Sequence, residues 1–115
     1  MLLDASNSLV LLIDIQEKLL PNIKGHNELL STSLKVVDVA NALNIPIVVS
    51  EQYPKGLGST VKSIKIRLKE SNFRLFEKTT FSCLGNSEIK NYLKQQKKNQ
   101  IIVCGIEAHI CVLQS

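Results

Sequence analysis

Only two histidines and three cysteines occur in these 115 residues, and both scarcities exclude whole classes of protein. Three cysteines cannot all pair with one another, and none stands in the closely spaced ligand pairs of a zinc site. Neither a disulfide scaffold nor a structural zinc module fits, and a reduced, cytoplasmic protein is expected. Long apolar runs are also missing: the first, Leu9 to Ile13, is far short of the roughly 20 residues that span a bilayer. No Lys or Arg precedes it and Asp4 does, unlike a secretory leader or an Arg-rich organelle presequence. Internal repeats, linkers and low-complexity tracts are absent.

What is present has the balance of a globular domain, with 44% hydrophobic and 21% charged residues. The length suits one domain, near the lower limit for a doubly wound sheet. The net charge of +4, from 14 basic and 10 acidic residues, is concentrated in segments such as Lys94 to Lys98. That spacing fits the solvated face and end of a helix, so neither a nucleic-acid nor a membrane partner is expected.

Leu9 to Ile13 reads as a continuous apolar strand, which suits a central parallel strand buried on both faces. From His26 to Leu43 the apolar residues recur at helical spacing, and Asn44 and Pro46 end the pattern. Ile45 to Val49 predicts a second strand, and Glu51 to Gly58 a loop of turn formers serving as lid or pocket wall. Ser59 to Glu70 predicts a short helix capped by Ser59, Arg74 to Lys78 a strand, Asn86 to Gln96 a helix, and Ile101 to Cys104 a last strand. Strands alternating with helices imply right-handed crossovers and a mostly parallel sheet covered on both faces.

Three residues at strand ends carry chemistry. Asp14 closes the first strand, Lys78 the third, and Cys111 follows the fourth after a glycine turn and a bend that holds Glu107 and His109. Each has an ordinary reading alone: a residue that ends burial, an exposed lysine, a packed thiol. Together, where the carboxyl ends of parallel strands open onto a ligand crevice, they supply a base, a charge stabiliser and a nucleophile. Cys83, five residues after Lys78, is read as a packed thiol.

The segments SLVLLIDIQEKLL, SEQYPKGLGSTV, FEKTTFSCL and VCGIEAHICV, in this order, resemble the motifs of the isochorismatase-like cysteine hydrolases. The resemblance covers nearly the whole chain and is nearest to the isochorismatase-domain-containing proteins with EQYP after the second strand. It implies a three-layer α/β/α Rossmann-like fold with a parallel sheet, and a catalytic triad carried here by Asp14, Lys78 and Cys111. It also implies a cis peptide between Ile106 and Glu107, with the backbone amides of Glu107 and Cys111 as the oxyanion hole. Gln16, Tyr53 and Phe81, which stand in the same motifs, are candidates for the substrate pocket.

In the nicotinamidase branch a metal is held by Asp and His after the second strand, where this chain has Glu51, Gln52 and Tyr53, so no metal and no cofactor is expected. Isochorismatase proper lacks the nucleophilic cysteine, so Cys111 points to the thiol-dependent branch acting on a small-molecule amide or related acyl compound. Members continue past the nucleophile with its helix, whose start would hold Cys111 as thiolate, and with further parallel strands. Residues 1–115 are therefore expected to be an incomplete hydrolase domain, inactive alone, with Ile101–Cys104 left as a bare apolar edge, and a homo-oligomer when complete. The rival expectation is a non-catalytic interaction or regulatory protein on the same fold.

Overall fold

In a computed structural model the chain is described over residues 4–78 and 87–105 and, for the backbone alone, 108–114. Four strands run parallel: β1 (Ser8–Ile13), β2 (Ile47–Gln52), β3 (Phe73–Lys78) and β4 (Gln100–Gly105). A fifth, β5 (Ala108–Gln114), lies antiparallel to β4, giving the spatial order β3-β2-β1-β4-β5. The helices are α1 (His26–Leu43), a single turn α2 (Pro54–Leu57), α3 (Lys62–Leu68) and α4 (Ser87–Gln96).

Strand alternation divides the core into two layers, one on each face of the sheet. Val10 and Leu12 of β1, Ile47 and Val49 of β2, and Ile102 and Cys104 of β4 pack with Val37 and Ala40 of α1 and Ile64 and Leu68 of α3. Leu9 and Leu11, Val48 and Phe76 face the other way, onto Ile89 of α4. The result is the expected three-layer α/β/α arrangement. Arg74 closes the rim of the smaller layer, its guanidinium 5.2 Å from the Phe76 ring centroid and 5.0 Å from that of Tyr92.

The first helix has the predicted limits. It ends at Asn44, whose left-handed backbone (φ 57°) lets its N–H reach the Ala40 and Asn41 carbonyls, and Pro46 follows. Other boundaries correct the sequence reading. The second strand runs on through Glu51 and Gln52, both buried, rather than stopping at Val49. Ser59 is not a helix cap: α3 starts three residues later at Lys62, while the Ser59 hydroxyl donates to Glu17 Oε1. Asn86, expected to cap the fourth helix, lies outside the described residues.

The largest correction concerns the end of the chain. Instead of a bend leading into a helix, residues 108–114 form β5, which pairs along β4 from Gln100↔Gln114 to Gly105↔Ala108. The last apolar strand is thus not a bare edge, because its backbone donors and acceptors are satisfied by the segment that follows it.

Order β3-β2-β1-β4 places the topological switch between β1 and β4, and Gly105 lies close against β1. Gly105 is the register partner of Ile13. A Cβ at Gly105 would lie 2.7 Å from both the Cβ and the carbonyl oxygen of Ile13. The carbonyl belongs to the sheet and cannot turn aside, so Gly105→Ala must separate the strands. The expected loss is about 1–3 kcal/mol, read as a lower urea midpoint with an unchanged m-value.

Candidate active site

Beyond Ile13 the backbone leaves β1 with Asp14 in the left-handed region (φ 57°), a conformation that Asp tolerates better than most side chains. Its N–H donates to the Ser50 carbonyl at 3.1 Å, which pins the turn to the end of β2. The carboxylate then meets Lys78, whose Nζ donates to Asp14 Oδ2 at 2.8 Å. The Lys78 side chain has 0% of its surface exposed and that of Asp14 15%. Lys78 Nζ also donates to Gln52 Oε1 at 3.0 Å, and Ser50 Oγ donates to Asp14 Oδ1 at 3.0 Å. A buried ammonium is tolerable only with such partners, since an isolated one carries a penalty of several kcal/mol.

Residue parity decides which side chains meet. Ser50 and Gln52 follow Val48 on the α4 face of β2, and Lys78 follows Phe76 on the same face of β3. Glu51 points the opposite way. It is only 3% exposed and accepts from both the Thr60 N–H (2.7 Å) and the Thr60 hydroxyl (2.8 Å).

The segment from Tyr53 to Thr60 is fastened at several points. Gln16 is fully buried: its Oε1 accepts from the Gln52 N–H at 2.7 Å, and its Nε2 donates to the carbonyls of Gln52 (3.0 Å) and Gly58 (2.7 Å). Backbone bonds from Glu17 to Ser59, Lys18 to Leu57 and Val61 to Ile15 complete the fastening. The Gln16 amide is thus wholly engaged in holding this loop. Tyr53, 56% exposed, has its N–H on the Lys78 carbonyl (3.0 Å). Its ring lies over Gly56, where a Cβ would come within 2.4 Å of Cε2, so glycine is what lets the ring rest there.

Asp14 and Lys78 are thus brought together, and Cys111 is not. Val103 pairs with Leu11 on one side and with Cys111 on the other, so Cys111 is level with Leu11, three residues before Asp14. Two strand spacings across and three residues along separate the Cys111 backbone from that of Asp14 by about 14 Å. Glu107 and its proposed peptide bond with Ile106, together with Phe81 and Cys83, lie outside the described residues. Among the described residues no group of three His, Cys, Asp or Glu side chains comes together as a metal site would require, and no helix is long and apolar enough to cross a membrane.

Sequence reasoning missed Ser50, Gln52 and the Glu51–Thr60 anchor. The available signal was three polar residues closing an apolar strand without a break in its alternation.

Because Lys78 is buried, its stability depends on its counter-ion. Asp14→Asn keeps the side-chain shape and suits the left-handed backbone, yet it leaves the ammonium unneutralised, with an expected loss of about 3–5 kcal/mol. Adding Lys78→Met to that variant should restore most of the loss. Denaturant melts of the two single variants and the double variant measure this; additive losses would mean that the pair is not coupled.

Comparison with known proteins agrees with this architecture. The family model described as the isochorismatase domain matches residues 8–115. Isochorismatase family protein 1A of Dictyostelium discoideum is 41% identical over 98% of this chain and 56% of its own. Isochorismatase domain-containing protein 2 of Danio rerio is 36% identical over 96% and 54%. A solved Caenorhabditis elegans structure, named MAR1 ribonuclease, superposes with a TM-score of 0.82 at 42% identity, over 95% of this chain and 55% of that one. The chain spans about half the length of the curated relatives it matches. With four parallel strands in its sheet, helices on both faces and this match along nearly its whole length, the chain belongs to the isochorismatase-like hydrolase family.

Proposed function

We propose that the chain carries the acid–base half of a cofactor-free cysteine hydrolase acting on a small amide or related acyl compound. The observation that carries the reading is the Asp14–Lys78 pair: a buried, hydrogen-bonded ion pair at the carboxyl ends of parallel strands, beside the switch point where such folds bind ligands. Two charges removed from water with so little direct structural return fit a site that needs them for chemistry.

In the proposed reaction Asp14 accepts the Cys111 thiol proton, and Lys78 stabilises the thiolate by its charge. The sulfur attacks the carbonyl carbon, and the tetrahedral oxyanion is held by the amides of Glu107 and Cys111. The C–N or C–O bond breaks as Asp14 returns the proton to the departing amine or alcohol. Water, giving a proton to Asp14, then attacks the thioester carbonyl. The acid leaves, and the proton passes back to the sulfur. Tyr53 is exposed with its N–H on the Lys78 carbonyl, and Phe81 belongs to the same motif as Lys78, so both are assigned to the substrate side.

Register supports the further proposal that this chain alone is inactive. With Cys111 paired to Val103, its backbone is too far from Asp14 for direct proton transfer, which needs heavy atoms within about 3 Å. Activity belongs to a form in which the remainder of the domain occupies the β4 edge and residues after Gly105 leave it.

Two outcomes are expected. The 115-residue chain shows slow iodoacetamide labelling at Cys111 and no turnover. A protein extended by the rest of the domain labels fast at Cys111 and hydrolyses members of a panel of small amides and esters, with Cys111→Ala removing all turnover at an unchanged melting temperature. Full turnover in the alanine variant would refute nucleophilic catalysis. Chelators should leave the rate unchanged, and loss on chelation restored by one added metal would overturn the cofactor-free assignment. RNA belongs in the panel because of the name carried by the Caenorhabditis elegans neighbour; RNA cleavage lost in Cys111→Ala would replace acyl by phosphodiester chemistry.

A further inference from the structure

Ser50 interrupts an apolar strand and is fully buried, and its carbonyl and its hydroxyl are both bonded to the same residue. Its carbonyl accepts the Asp14 N–H at 3.1 Å, and its hydroxyl donates to Asp14 Oδ1 at 3.0 Å. Asp14 needs such a hold. Its φ of 57° is in a region that costs a non-glycine residue on the order of 1 kcal/mol.

The two oxygens of Asp14 are held by different partners, Oδ2 by the Lys78 ammonium and Oδ1 by the Ser50 hydroxyl. Two donors on two oxygens fix the rotation of the carboxylate, which a single ion pair would leave free to turn about its bond. Lys78 is the charged group facing Asp14 among the described residues, and its own Nζ is steadied by Gln52 from the same face of β2.

We propose that Ser50 is a positioning residue of the site, a two-point clamp that holds the strained Asp14 backbone and orients its carboxylate for proton transfer. The catalytic meaning of the clamp rests on Asp14 being the proton acceptor proposed above. The clamp itself can be read without turnover, so the two can fail separately.

The chain contains only three aspartates, Asp4, Asp14 and Asp38, so a sample labelled selectively at the aspartate side-chain carboxyl gives three NMR signals, and Asp14→Asn assigns the one that matters. Losing a donor from one carboxylate oxygen changes the surroundings of that carboxyl carbon and frees the group to turn about its bond. At pH 7 the Asp14 carboxyl signal of Ser50→Ala should therefore stand away from its wild-type position, with the Asp4 and Asp38 signals unmoved. Ser50→Thr, which keeps the hydroxyl, should restore the wild-type position. If Ser50→Ala does not fold, Ser50→Cys, near-isosteric with a much weaker donor, should move the signal in the same direction. An Asp14 signal at the wild-type position in a folded Ser50→Ala or Ser50→Cys protein would overturn the clamp. Failure of Cys111 as nucleophile would appear in the labelling and turnover measurements and leave this signal unaltered.

Discussion

A lysine ammonium with no exposed surface dictates the arrangement of everything around it. Lys78 reaches its position because β3 runs parallel to β2 in a register that sets it beside Gln52, and its burial is offset by the Asp14 carboxylate 2.8 Å away. The pair in turn requires β1 to end where it does, since one residue more of strand would carry the carboxylate to the other face. Folding free energy and chemical competence are linked here: a change that removes the carboxylate also leaves a buried charge without its partner.

The surroundings of the pair are built almost entirely from the last three residues of β2. Ser50 and Gln52 serve the ion pair from one face, while Glu51 fastens Thr60 from the other, so one short strand end holds both the charged groups and the loop beside them. Gln16 acts as a surrogate strand residue, its amide satisfying the backbone of Gln52 where no neighbouring strand is available. These contacts are polar and buried on both faces, which explains how a loop rich in turn formers can be rigid. The neighbouring close approach of Gly105 to Ile13 brings β4 to the same end of the sheet with no side chain between the strands.

Much of this was legible from the chain alone, for identifiable reasons. The helix His26–Leu43 has long amphipathic periodicity and a clear stop at Asn44, and β1 and β4 are runs too apolar for any exposed element. Asp14 and Lys78 were found because functional groups at parallel strand ends share one side of the sheet. Glu51 and Gln52 were read as loop because their burial depends on partners remote in sequence, Thr60, Gln16 and Lys78, that local composition does not reveal. Residues 108–114 were misread for a related reason. Their conformation depends on whether another strand occupies the edge of β4, and here that edge is satisfied by the segment that follows it.

The alternation at the end of β2 also acts as a reading frame. Because neighbouring residues serve opposite faces, the insertion or loss of one residue anywhere from Ile47 to Gln52 would exchange their duties, aiming a carboxylate at the ammonium's niche and an uncharged amide at Thr60. The stretch between Tyr53 and Gly58, a single helical turn, has no such parity to preserve. Length variation among homologous chains should therefore accumulate on one side of Gln52 and be nearly forbidden on the other, a boundary set by the pleat of a single strand.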